Sequence, residues 1–164
     1  MIVFQKDLDR WLKEYGASHQ HPTNKLIHWI CVPLILFSIV GLLWCIPHNY
    51  FSTFIPKSIG EFINWATIVM ILSLIFYLRL SSAMFWGMLV IFCWASIASY
   101  YLYSSPRFTL WKLSLFIFIC SWIGQFIGHK IEGKKPSFFK DLQFLLIGPA
   151  WLLSFIYKNL DIAY

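Results

Sequence analysis

The chain has 164 residues, 59% of them hydrophobic and only 12% charged. Soluble domains run at about 45–50% apolar and about 25% charged, so the composition excludes an ordinary soluble domain and indicates an integral membrane protein, folded as one unit over residues 1–164. The net charge of +6 does not point to nucleic acid as a partner. The basic residues flank apolar runs, as topology and anionic headgroups require, and no zinc-finger, RNP or basic-helix pattern accompanies them.

Phe4, Leu8, Trp11, Leu12 and Tyr15 share one helical face, with Lys6, Asp7, Asp9, Arg10, Lys13 and Glu14 on the other. A secretory signal needs an unbroken apolar core instead. The pattern predicts an amphipathic helix lying in the membrane interface, ended by Gly16. Pro22 suits the first turn of a new helix. Residues 26–46 are apolar and long enough to cross a bilayer, with a kink expected at Pro33. Pro47-His48-Asn49 ends that run, and residues 47–61 read as a loop.

Residues 62–78 form the second apolar run, followed by a tight turn at Arg79-Leu80-Ser81-Ser82. Residues 83–103 are the third, ending in the interfacial aromatics Tyr100, Tyr101 and Tyr103. Residues 108–128 are the fourth, and a polar, basic stretch follows at 129–141. The fifth, 142–157, is short and contains Gly148-Pro149, so it either spans with a break or only dips into the bilayer. The predicted fold is all-α: an integral membrane helical bundle of four to five transmembrane helices with an N-terminal interfacial helix. Cys31, Cys45, Cys93 and Cys120 lie inside apolar runs and read as small buried hydrophobes, not as a disulfide framework.

With five spans, nine Lys and Arg fall on one side and four on the other. The richer side is expected to be cytoplasmic, in a bacterial inner membrane or an endoplasmic reticulum membrane. It also carries His19, His21, His28, His129 and Glu132. His21 and His28 share a helical face, as do Asn24 and His28. His129 and Glu132 meet on one face if the fourth helix continues past Gly128. His48 lies opposite and reads as a polar anchor.

Histidines at a membrane boundary are costly unless used, and four converging from two parts of the chain point to a metal. Imidazole suits iron, zinc, copper or nickel, and two or three His with one carboxylate is the pattern of non-haem Fe(II) oxygen chemistry. Zinc fits the same donors. Three readings follow: an iron-dependent enzyme acting on lipid, a zinc-dependent membrane lipid hydrolase, and a non-catalytic metal-binding membrane protein.

Two motifs carry a resemblance. His19-x-x-Pro22-x-Asn24-x-x-x-His28 followed by Val32-Pro33, and Trp122-x-Gly124-Gln125-Phe126-x-Gly128-His129-x-x-Glu132-x-x-x-Pro136 followed by Gly148-Pro149, resemble a membrane family once known only as a domain of unknown function. Its fungal members are 2-hydroxy fatty acid dioxygenases. The resemblance covers about residues 11–158. It implies an Fe(2+)-dependent α-oxidation in which a 2-hydroxy fatty acid reacts with O2 and is shortened by one carbon. It implies His19, His28 and His129 as metal ligands. Glu132 is then a further ligand, a partner for His129, or a base, and His21 stands beside it as a candidate catalytic group. An α-hydroxy carboxylate chelates iron through both oxygens, which would make the 2-hydroxyl a requirement. Asn24 and Gln125 read either as hydrogen-bonding groups for ligands and substrate or as helix-packing amides. Lys25 and Lys130, with Lys134 and Lys135, either attract the carboxylate or serve topology alone.

Overall fold

A computed structural model of the protein describes residues 2–47, 60–107, 109–133 and 138–164, with the backbone alone at 2–6 and 138–144. His48, Lys57, Lys134, Lys135 and Pro136 lie outside the described residues. Among those described there is no strand, and the elements are α1 (Ile2–Gly16), α2 (Pro22–Trp44), α3 (Trp65–Leu80), α4 (Ser82–Tyr103), α5 (Leu110–Glu132) and α6 (Phe138–Asn159). Three helices, α2, α4 and α5, are long and apolar enough to cross a membrane. The 16-residue α3 is apolar but shorter.

Local chemistry sets the helix ends. Pro22 occupies the first turn of α2, and the helix runs on through Pro33 without a break. Ser81 alone separates α3 from α4: its backbone is extended, its N–H donates to the Tyr77 carbonyl, and its hydroxyl accepts from the Met84 N–H. α5 continues one turn past Gly128 and stops at Gly133, whose φ of 72° is the left-handed conformation that glycine takes without a Cβ penalty. His129 and Glu132 therefore share the last turn of α5.

The bundle is apolar outside and carries small polar residues inside, as helices in lipid do. Trp94, Phe116 and Leu72 are 72%, 66% and 63% exposed, whereas Ser38, Ser99 and Ser114 are fully buried. α2 and α5 form the most extensive helix pair. They run antiparallel: a Cβ added at Gly41 would strike Ser114, one at Gly124 would lie 2.7 Å from Cys31 Sγ, and one at Gly128 would strike Asn24 Oδ1. Small residues let the two backbones approach closely. All four cysteines are free.

The two terminal helices differ from the sequence expectation. Leu8 is fully buried and Tyr15 nearly so, because α1 packs on α6 and α3. Its apolar face is spent at least partly on protein, not wholly on lipid. In α6, the Leu146 carbonyl accepts from the Tyr77 hydroxyl at 2.6 Å. Tyr157 donates to the Ala83 carbonyl at 2.7 Å, and Phe155 meets Trp29. These contacts all fall where α2 begins, α3 ends and α4 begins. They lie away from the opposite end, where Phe62 packs on Trp44 and Tyr100. Of the two sequence readings for this run, the contacts favour a segment held at one end of the bundle.

Candidate metal centre

Three elements bring three histidines to that covered end. His19 sits in the connection after α1, His28 on the second turn of α2, and His129 on the last turn of α5. One ring nitrogen from each lies within 4.8 Å of the others, and His19 and His28 are buried. The His129 ring lies 5.1 Å from each of the other two, centroid to centroid.

The hydrogen bonds fix the tautomers. His19 Nδ1 lies 2.6 Å from the Tyr15 carbonyl, and His28 Nδ1 lies 2.9 Å from the Asn24 carbonyl. A carbonyl only accepts, so both Nδ1 atoms carry the proton. Two neutral rings then direct Nε2 lone pairs at each other across 2.8 Å, an arrangement without a shared proton. The Nδ1 of His129 is buried with no hydrogen-bond partner. Convergent imidazole nitrogens, with the His19 and His28 rings each held through Nδ1 and a further buried ring nitrogen unpartnered on His129, suit a metal ion, so the residues fit one. Tyr15 stacks on His19 at 4.2 Å, and Trp151 lies 5.4 Å from the same ring.

Glu132 does not join this group. Its Oε1 accepts from the Gln20 N–H at 2.9 Å, and its Oε2 accepts from the His21 N–H at 2.8 Å and Asn24 Nδ2 at 3.1 Å. It ties the segment carrying His19 to the end of α5. Of the three roles open in the sequence, none is what these contacts show: the carboxylate holds Gln20, His21 and Asn24 and makes no hydrogen bond to His129. The His21 ring is exposed and caps α2, its Nδ1 accepting from the Thr23 N–H at 3.2 Å. The structure does not bring it to the cluster.

Asn24 is fully buried and donates to the Ser18 carbonyl as well as to Glu132. It works as a latch between segments, while Gln125 is buried and lies against His28. Lys25 and Lys130 stand near the cluster in sequence and do not line the cavity below it. Tyr15 and Trp151 were not singled out as site residues from the sequence. Tyr15 contributes a backbone carbonyl and a ring face, and its only signal is its position one turn before His19.

A cavity of about 180 Å³ opens from the histidines into the bundle. Its upper wall carries Ser18, His19, His28, Gln125 and His129, and its lower wall is aliphatic and aromatic from α2, α3 and α4. Below the histidine end the lining is mostly apolar, with Ser73 of α3, whose hydroxyl donates to the Val69 carbonyl at 2.8 Å, as a polar exception.

Helical architecture, an apolar surface and three histidines that could hold a metal ion above a mostly apolar cavity define a membrane-type protein with a candidate metal site. The family model described as "2-hydroxy-palmitic acid dioxygenase Mpo1-like" matches residues 5–160, and the chain belongs to that family. It is 31% identical over 158 residues to the 2-hydroxy-palmitic acid dioxygenase MPO1 of Saccharomyces cerevisiae, covering 93% of this chain and 81% of that protein. No solved structure matches it. Membership supports a lipid-modifying role.

Proposed function

We propose that the protein is an Fe(II)-dependent dioxygenase that shortens 2-hydroxy fatty acids by one carbon, with His19, His28 and His129 as the metal ligands. The observation that carries the reading is the junction of a convergent histidine cluster with an apolar cavity. That junction suits an amphiphile whose reacting end is polar and whose remainder is hydrocarbon. Iron held there would supply the redox chemistry with O2 that the protein's own side chains lack.

The residues bind and orient. The carbonyls of Tyr15 and Asn24 keep the His19 and His28 rings in the tautomer that presents Nε2. Gln125, which lines the cavity beside His28, would hydrogen-bond the hydroxyl or carboxylate of the substrate. The aliphatic wall takes the acyl chain and excludes water from the reacting end. Glu132 keeps the His19 segment closed against α5. On this reading catalysis takes place within a membrane, with O2 and a 2-hydroxy fatty acid as the substrates.

The test is metal analysis of detergent-purified protein together with oxygen uptake on 2-hydroxypalmitate and on palmitate. Stoichiometric iron, uptake that depends on the 2-hydroxyl, and loss of iron in a folded His28→Ala variant are the expected results. Zinc without oxygen uptake would replace the reading with a hydrolase. Protein that binds no metal would overturn both.

A further inference from the structure

The cavity has a direction and a floor. On α2 its wall runs from His28 to Leu43. At about 1.5 Å rise per residue the wall is roughly 22 Å long, close to an extended palmitoyl chain. α3 runs the other way, so its lining residues descend from Tyr77 through Met70 to Ala66. Leu43 and Ala66 are thus the deepest positions on their two helices. Beyond them lies the packed cluster of Trp44, which is 1% exposed, with Phe62.

The groove is open along one side. α5 packs against α2 and makes few contacts with α3. Val69 and Phe126, which line the cavity from these two helices, are 40% and 41% exposed. A hydrocarbon chain lying in the groove would therefore be bounded lengthwise by the floor and not by its side. The floor is where chain length is read.

We propose that Leu43 and Ala66 form the stop that sets acyl-chain length: the substrate lies along α2 with its head at the histidines and its terminal methyl against this pair. The inference rests on the reading of the cavity as the acyl-chain site. The side-chain volume at the two positions then decides where the chain must end. Ala66→Leu raises the floor and Leu43→Ala lowers it, so the variants shift preference in opposite directions. Each methylene that gains or loses burial is worth roughly fourfold in affinity. A displacement by two carbons changes the affinity ratio of neighbouring even-chain acids about 15-fold.

The experiment measures binding of 2-hydroxylaurate, 2-hydroxymyristate, 2-hydroxypalmitate and 2-hydroxystearate to full-length detergent-purified protein. Titration calorimetry reports affinity, and oxygen uptake on the same acids is measured in parallel. The expected result is a binding optimum moved to shorter acids in Ala66→Leu and to longer acids in Leu43→Ala. An optimum unchanged in folded Leu43→Ala overturns the proposal even if Ala66→Leu fails to fold. Turnover that persists with an unmoved optimum sinks the stop and leaves the dioxygenase reading standing. Shifted binding without oxygen uptake supports the stop and counts against the dioxygenase. A wild type that binds none of the acids overturns the stop.

Discussion

Glu132→Gln separates a carboxylate that clamps the site from one that ligates the metal. The carboxylate accepts three N–H bonds, from Gln20, His21 and Asn24, at 2.9, 2.8 and 3.1 Å. Glutamine keeps one acceptor oxygen and turns the other into an NH2 group facing N–H donors. At best it retains the pair on one oxygen and converts the third bond into a donor–donor contact. A hydrogen bond to a charged group is worth about 1.5–3 kcal/mol, and partial exposure at the rim of the bundle reduces that to about 1 kcal/mol each. The remaining bonds also weaken once the acceptor is neutral, so the expected loss is about 2 kcal/mol. Because the clamp is made with no metal involved, that loss is present in metal-free protein. Loosening the segment that carries His19 also lowers metal affinity, by roughly 10–100-fold as for other outer partners of metal ligands. The assay is a thermal melt of metal-free wild type and variant, with iron retention against a chelator in parallel. Equal melting of the two metal-free proteins would refute the clamp and return Glu132 to the ligand set.

His21→Ala removes the cap on α2 and nothing from the histidine cluster, so it should cost about 1 kcal/mol of stability while leaving metal content unchanged; loss of iron on elemental analysis would contradict that placement. Gly128→Ala puts a methyl group onto Asn24 Oδ1, and Asn24 is held by Ser18 and Glu132. Overpacking of this kind costs about 1–3 kcal/mol, and displacement of Asn24 should also weaken metal binding through the carbonyl that holds His28. A variant that melts and binds iron like wild type would show that α2 and α5 are not locked at this point.

The helices and the three histidines were legible because each leaves a local mark. Apolar length marks α2, α4 and α5, whereas the continuation of α5 past Gly128 to Glu132, on which the shared face of His129 and Glu132 depended, was left open by the sequence. The anchors of the rings left no mark, because the Tyr15 and Asn24 groups that hold them are backbone carbonyls, which every residue has. The placement of α1 could not be read either. A face bearing Leu8, Trp11 and Tyr15 has the same pattern whether it meets lipid or another helix. His21 shares a helical face with His28 by spacing alone, yet it precedes the first residue of α2, and its backbone is extended there. That conformation aims the ring at the Thr23 N–H instead of the cluster. The cavity floor joins residues of α2 and α3 more than twenty positions apart, a relation that no local window contains.

Buried donors and acceptors inside an apolar bundle are costly without partners, and here one side chain meets several of those demands, its own Oδ1 and the Nδ1 of His129 being left without one. Asn24 donates to the Ser18 carbonyl and to Glu132, while its backbone carbonyl receives the His28 ring. Glu132 gathers the backbone N–H groups of Gln20 and His21, the two residues that follow His19. Asn24 reaches this position because Gly128 leaves room for its amide. The residues from Ser18 to His28 and those from Gln125 to Glu132 therefore form one interlocked unit, and the helix pair holds the histidines at fixed separation. α1 and α6 complete it from the ends of the chain: Tyr15 covers one face of His19, and Trp151 packs beside both. The positions of His19 and His28 are thus set by protein contacts. The side that faces the cavity is left open.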